Sequence, residues 1–303
     1  MTYDQRLKNM EVPAGRVDVV LDTDAFNEVD DQFAMAYLLR SDDKLNTVAI
    51  YAAPFCNKNA SSPLEGMEKS YNEIFKILKL ADVEKEVFKG SGSYLKNEQE
   101  PVISDAAKDL AERVNNYSPE NPLYVIAIGA ITNIASAILL NPRVAENAVV
   151  IWLGGHAYHY PHTEEFNMRQ DVSAARVVFK SGVPLVQVPV QGVVTAFAIS
   201  KPELEYWFKG KNKLADYLAT YMIEDAKVRS MNGAWAWVVC DVVAVAWLLN
   251  DGDRFMFSNV VPAQLPTYDH LYAPDCNGHL IRYIYGINRG NLMNDMIEKI
   301  AGK

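Results

Sequence analysis

The residues of this chain best suited to chemistry come in four short groups. The first reads Asp22-Thr23-Asp24, then Ala25 to Val29, then Asp30-Asp31. Asp22, Asp24, Asp30 and Asp31 thus crowd negative charge into ten residues. Unpaired carboxylates at that density repel one another, and a hard divalent cation held by oxygen is the natural compensation. A simpler role also suits them, because acidic side chains at a helix start cap backbone N–H groups and favour the helix dipole. The second group, His156 to Asp171, holds Glu164-Glu165-Phe166-Asn167, the histidines His156, His159 and His162, and Asp171 as an expected helix cap. No two of these histidines have the i, i+4 spacing around a glutamate that a zinc protease uses. The third is Cys240-Asp241 at the head of an apolar run, preceded by Trp235 and Trp237, which either wall a pocket or pack in the core. The fourth is Gly129-Ala130-Ile131-Thr132-Asn133, with Thr132 as the expected cap of the next helix.

The elements that must position these groups follow from hydrophobic period. The runs 17–22, 46–53, 123–130, 148–155 and 184–190 are short, apolar and β-branched, as buried strands are. The segments 30–41, 65–81, 103–116, 132–140 and 171–182 carry helical period, the first with Phe33, Ala34, Tyr37 and Leu38 on one side. Strands alternating with helices predict an α/β fold, a mostly parallel central sheet with helices on both faces. The last third reads as helices over 203–228, 241–250 and 290–301. No repeat or linker interrupts the chain, so 1–303 is expected to form one domain, led in by a polar extension over 1–15. In such sheets ligands bind beyond the carboxyl ends of the strands, and each of the four groups follows a strand or opens a helix.

Composition narrows the function. A formal net charge of −9 repels phosphate backbones and argues against nucleic acid as partner. Cys56, Cys240 and Cys276 form no C-x-x-C pair and are odd in number, which fits a reducing, cytoplasmic setting rather than a disulfide framework. The first residues, MTYDQRLKNMEVPAGR, lack the apolar run of a signal peptide. No apolar stretch approaches the ~20 residues that span a bilayer, so no membrane partner is expected.

Taken together, the groups resemble the inosine–uridine-preferring nucleoside hydrolase family, whose core is Rossmann-like. The family's Asp-x-Asp, Gly-containing loop and Asp-Asp-Ala helix start correspond to LDTDAFNEVDDQFA (21–34). Its Gly-x-Leu-Thr-Asn-Ile-Ala segment corresponds to GAITNIA (129–135), and its Gly-Gly, Glu-Phe-Asn and Asp-x-x-Ala-Ala elements to GGHAYHYPHTEEFNMRQDVSAA (154–175). Its His-Asp-x-x-Ala-Val-Ala helix corresponds to CDVVAVA (240–246). The motifs fall in family order.

The resemblance implies calcium-dependent hydrolysis of the N-glycosidic bond of ribonucleosides, with a water held by the metal as nucleophile. It implies calcium ligation by Asp24, Asp31, the backbone carbonyl of Thr132 and the carboxylate of Asp241, with Asp24 as general base. Asp30, Glu165, Asn167 and Asp241 then resemble the ribose ligands, Asn57 in PFCNKN the residue that orients the water, and Leu153 the apolar neighbour of the sugar. A homodimer or homotetramer is implied as well. Three positions depart from the family. The loop between Asp24 and Asp30 is two residues longer and lacks its Gly, Cys240 replaces a His tied to protonation of the leaving purine, and His159 stands where many members have a ribose-binding Asn. His156, His159, His162, Tyr158, Tyr160, Trp237 and Cys240 are therefore left as the groups that could contact the base. Two rivals stand beside this reading. One is a haloacid-dehalogenase-type phosphatase with Asp22 as nucleophile; the other is a nucleoside- or ribose-binding homologue without turnover.

Overall fold

Unbroken burial along the apolar runs makes a sheet with two covered faces. The computed structural model describes residues 1–229, 231, 233–274 and 278–302, so Cys276 lies outside the described residues. The strands are β1 (Val17–Thr23), β2 (Leu45–Ala52), β3 (Val87–Lys89), β4 (Leu123–Ala127), β5 (Ala148–Leu153), β6 (Leu185–Val188), β7 (Ala198–Ser200), β8 (Ala236–Val238), β9 (Met256–Pro262), β10 (Leu265–Pro266), β11 (Tyr272–Ala273) and β12 (Leu280–Ile287). Eight of them form one sheet in the order β3-β2-β1-β4-β5-β6-β12-β9. All neighbours in it run parallel except β9, which lies antiparallel to β12 at the edge. The short strands pair off as β7 with β8 and β10 with β11.

The helices are α1 (Tyr3–Asn9), α2 (Asp30–Leu39), α3 (Pro63–Ala81), α4 (Asp105–Arg113), α5 (Thr132–Leu140), α6 (Val144–Asn147), α7 (Phe166–Gln170), α8 (Val172–Ser181), α9 (Lys201–Trp207), α10 (Lys213–Val228), α11 (Asp241–Trp247) and α12 (Arg289–Ala301). Val19 and Leu21 of β1 and Ile151 and Leu153 of β5 point into a core shared with α2, α3, α10, α11 and α12. Val20, Val150 and Trp152, one residue out of phase, point into a second core with α4, α5 and α8. The expected α/β fold with a mostly parallel sheet and helices on both faces is what the chain forms. No helix among the described residues is long and apolar enough to cross a membrane.

Several local expectations differ. The polar lead-in contains α1, capped by Thr2 and docked by Gln5 and Asn9, whose amides donate to the Pro119 carbonyl at 3.0 and 2.8 Å. The predicted helix over 203–228 is two helices. Gly210, at φ 71°, turns the chain between them, and the Asn212 side chain caps α10 by accepting from Ala215 N. Every residue of α2 is buried, not one stripe of it, because the helix is enclosed by the sheet and its helical neighbours. Thr132 is not the cap of α5, which falls at Ile131.

Candidate active site

Parallel strands bring their carboxyl ends to one edge of the sheet, and five of the loops that leave this edge enclose a cavity of about 520 Å³. Asp24 is the first residue after β1, and Asp30 and Asp31 open α2 after the five-residue loop 25–29. Asn57 comes from the loop after β2, Ile128 from the end of β4, Leu153 from the end of β5, and Glu165 and Asn167 from the turn into α7. Cys240 and Asp241 stand at the head of α11. All of these residues line the cavity.

The acidic residues meet. Carboxylate oxygens of Asp30, Asp31 and Asp241 lie within 4.8 Å of one another, and all three residues are buried. Asp24 lines the same space at 1% exposure, and neither of its oxygens has a hydrogen-bond partner. Such groups resist ionisation. Burial first, then the charges of Asp31 and Asp30, raise Asp24 well above the usual carboxylate range. Burial and then the Asp30 charge do the same to Asp31 and Asp241, while burial and Glu28 push Asp30 up to about 7. Asp31 gains a neutral partner in the Thr23 hydroxyl, which donates at 2.5 Å, and backbone N–H groups partly offset the burial of Asp30.

The rest of the wall is held by backbone. Glu165 caps α7, taking N–H groups from Gly155, Asn167 and Met168 at 2.8 to 2.9 Å. The Asn167 amide donates to the carbonyls of Ile128 and Leu153, which ties α7 to β4 and β5. Asn57 donates to Asn27 Oδ1 at 2.5 Å. Asn27 and Glu28 belong to the longer loop after β1 and line the cavity, as do Gln191, Lys58 and Arg169; none of these five stood out in the sequence. The extra length of that loop was the signal available for Asn27 and Glu28.

Other expected site residues fall elsewhere. Thr132 does not line the cavity; its hydroxyl donates to Asp171 Oδ2 at 2.7 Å, and Asp171 also caps α8 through Ala174 N. His159, Tyr160 and Trp237 do not line it either. His159 packs against Gly192, Tyr160 contacts the rings of His156 and His159, and Trp237 lies under the Arg229 guanidinium at 4.5 Å. Of the residues considered for the base, His156 and Cys240 are the ones that face the cavity. Asp22 is fully buried, receives the Asn133 amide at 2.8 Å and stays outside the cavity, which removes it as a phosphatase nucleophile.

An oxygen-rich cage under a half-open cavity can hold a hard cation, grip vicinal hydroxyls and draw a proton from water. Comparison with known proteins points the same way. A family model described as inosine-uridine preferring nucleoside hydrolase matches residues 19–280. The putative pyrimidine-specific ribonucleoside hydrolase RihB of Shigella boydii is 35% identical over 91 residues, which is 28% of this chain and 38% of that protein. For RihB of Escherichia coli the same identity spans 29% of the relative. The chain is thus matched to well under two thirds of the length of these curated relatives. Among solved structures, a plant nucleoside hydrolase superposes with a TM-score of 0.74 at 18% identity, covering 95% of this chain and 99% of that one. A purine-preferring ribonucleoside hydrolase from Gardnerella vaginalis gives 0.73 at 18% identity, over 94% and 98% of the two chains. At these identities the likeness is one of fold.

Proposed function

The chain belongs to the inosine-uridine preferring nucleoside hydrolase family, and on that premise we propose that it uses water to cleave the N-glycosidic bond of ribonucleosides, releasing ribose and free base, with calcium as its metal. The observation that carries this reading is the meeting of Asp30, Asp31 and Asp241 beside an Asp24 whose two oxygens have no partner. Buried carboxylates in that arrangement need protons or a cation, and an all-oxygen donor set suits a hard one.

Asp24, Asp31 and Asp241 would hold the ion, and Ile128, which lines the cavity, offers the backbone oxygen that Thr132, outside it, does not. When bound, calcium would polarise a water and grip two ribose hydroxyls. The chain's own groups do the rest. Asp24 accepts the proton of the attacking water as its oxygen bonds to C1′. The bond to the base breaks with its electron pair on the base, and positive charge spreads over the ribose. Anionic oxygens of Asp30 and Glu165 favour that charge. Ribose hydroxyls donate to Asp30, Asp241, the Asn167 Oδ1 and the lone-pair capacity that Glu165 keeps beyond its three N–H partners. Asn57 orients the water and Leu153 packs on the sugar. Fixing C1′ and water in place in this way is worth ~7–11 kcal/mol in well-oriented systems.

The deciding experiment is base release from a panel of free ribonucleosides, with and without chelator, for the wild-type protein and Asp24→Asn. The reading expects turnover that chelator abolishes, calcium restores and Asp24→Asn lacks. Ribonucleoside binding with no turnover would favour a binding homologue instead, and phosphate release from p-nitrophenyl phosphate without base release would contradict the hydrolase reading.

A further inference from the structure

Cleavage leaves negative charge on the departing base, and the reaction needs a donor there. Cys240 lines the cavity at the position where the resemblance leads one to expect a histidine. Burial, then the charges of Asp30 and Asp241, hold its thiol proton tightly, and a thiol is a weak hydrogen-bond donor. Of the three histidines in the loop after β5, only His156 lines the cavity.

The ring of His156 is fixed from several sides. Its Nδ1 accepts the backbone N–H of Gln191 at 3.3 Å, and its carbonyl accepts the Tyr272 hydroxyl at 3.0 Å. Tyr160 and His162 flank the ring, with centroids at 5.5 and 5.4 Å. The loops after β5 and β6 are also zipped together, Ala157 N to Gln191 O and Val190 N to Gly155 O. A backbone amide cannot turn round to accept, so Nδ1 carries no proton and the ring's hydrogen sits on Nε2. Among the described residues Nε2 has no hydrogen-bond partner, and it is not one of the occluded polar atoms.

Resting on the hydrolase reading, we propose that His156, through its Nε2–H, is the hydrogen-bond donor to the departing base and takes the part that Cys240 cannot. As the bond from C1′ to the base nitrogen breaks, its electron pair passes to the base, and Nε2–H meets the acceptor atom on which that charge accumulates. The water oxygen bonds to C1′ and its proton goes to Asp24. The base takes a proton from solvent on release, Asp24 returns one, and His156 ends as it began. Burial and the neighbouring His162 hold the imidazole below its usual pKa, so it donates as a neutral ring.

The test compares substrates that differ in their need for a donor. Inosine and uridine have poor leaving groups; p-nitrophenyl β-D-ribofuranoside releases a phenolate stable without help. His156→Ala should lower kcat for the two nucleosides by about 10²- to 10³-fold, leave the nitrophenyl riboside unchanged, and be partly rescued in His156→Gln, whose amide can donate. Equal losses on all three substrates would mark His156 as a packing residue, and equal retention would mark it as idle; either overturns the inference. Wild-type protein that releases base from no nucleoside would sink the hydrolase reading itself, an outcome separate from any ratio between variants.

Discussion

Asp30 and Asp241 each open a helix, α2 and α11, and the two helices meet so that oxygens of these carboxylates and of Asp31 come within 4.8 Å. Neither residue caps its helix; the caps are Val29 and Cys240, and neither has a capping side-chain hydrogen bond. Helix dipoles pointing at the site ease the negative charge by ~0.3–1 kcal/mol each. Two like charges 4 Å apart cost about 4 kcal/mol at an effective dielectric of 20, so the dipoles leave most of the repulsion in place. Metal-free protein must answer it with protons.

Stability without metal should therefore fall as pH rises. Asp22 and Asp30 are pushed up from 3.8 to about 7, mainly by burial. A carboxylate whose folded pKa exceeds its unfolded one supports the fold fully below the unfolded value and loses that support as pH climbs through the folded value. In chelator, Tm should drop between pH 5 and pH 8. Added calcium should raise Tm by an increment that grows over the same range, since it competes with fewer protons. Differential scanning calorimetry across that range checks this, and a calcium increment independent of pH would contradict it.

Asp24→Asn should separate chemistry from folding. Removing the base should cost turnover ~10²- to 10⁴-fold. The same change deletes a buried charge whose two oxygens have no partner, so in chelator at pH 8 the variant should melt higher than the wild-type protein. A variant both inactive and less stable in chelator would show that the Asp24 carboxylate is structural.

The sheet and the acidic cage were legible in the sequence for definite reasons. Strands β1, β4, β5 and β6 are buried on both faces and read as unbroken apolar runs. Asp24, Asp30, Asp31 and Asp241 were readable because acidic residues follow a strand or open helices. What escaped lacked such marks. Strands β9 and β12 form one side of the sheet, but Ser258, Asn259, Arg282 and Tyr285 break their apolar pattern, and β9 is largely exposed. The helix break at Gly210 was hidden by continuous helical period on either side. Trp237 and His159 had the chemistry of base contacts, yet Trp237 sits on β8 beneath Arg229 and His159 turns toward Gly192, contacts between distant segments that no local pattern announces. Thr132 had a cap's residue type, whereas its hydroxyl is bound by Asp171, 39 residues away.

Asn133 should prove a buttress of the site. Its amide donates to Asp22 Oδ1 at 2.8 Å, and its Oδ1 accepts both the N–H and the hydroxyl of Ser91 at 2.8 Å. Asn133→Ala strands a buried carboxylate and a buried N–H, which should destabilise by ~3–5 kcal/mol. Combining it with Asp22→Asn removes the stranded charge, so the double variant should recover part of the loss in urea unfolding. Strictly additive losses would mean that the two side chains do not communicate.

Arg229 should govern substrate affinity more than turnover. It donates to Glu28 at 2.8 Å and to Asp225 at 2.9 Å, and its guanidinium lies over Trp237. Through Glu28 it fixes the loop 25–29, which contributes Asn27 and Glu28 to the cavity wall. Asp24 and Asp30 at the ends of that loop are anchored separately, one by β1 and one by α2. Arg229→Ala removes a half-exposed ion pair worth ~0.2–1 kcal/mol and a ring contact worth ~0.5–1 kcal/mol, too little to unfold the chain. The loosened loop should raise KM for nucleosides several-fold while kcat stays near the wild-type value. Arg229→Lys, which keeps the charge without the fork that reaches both carboxylates, should fall in between. A collapse of kcat at constant KM would instead make the loop part of the chemistry and would place the Asp24 geometry under Arg229's control.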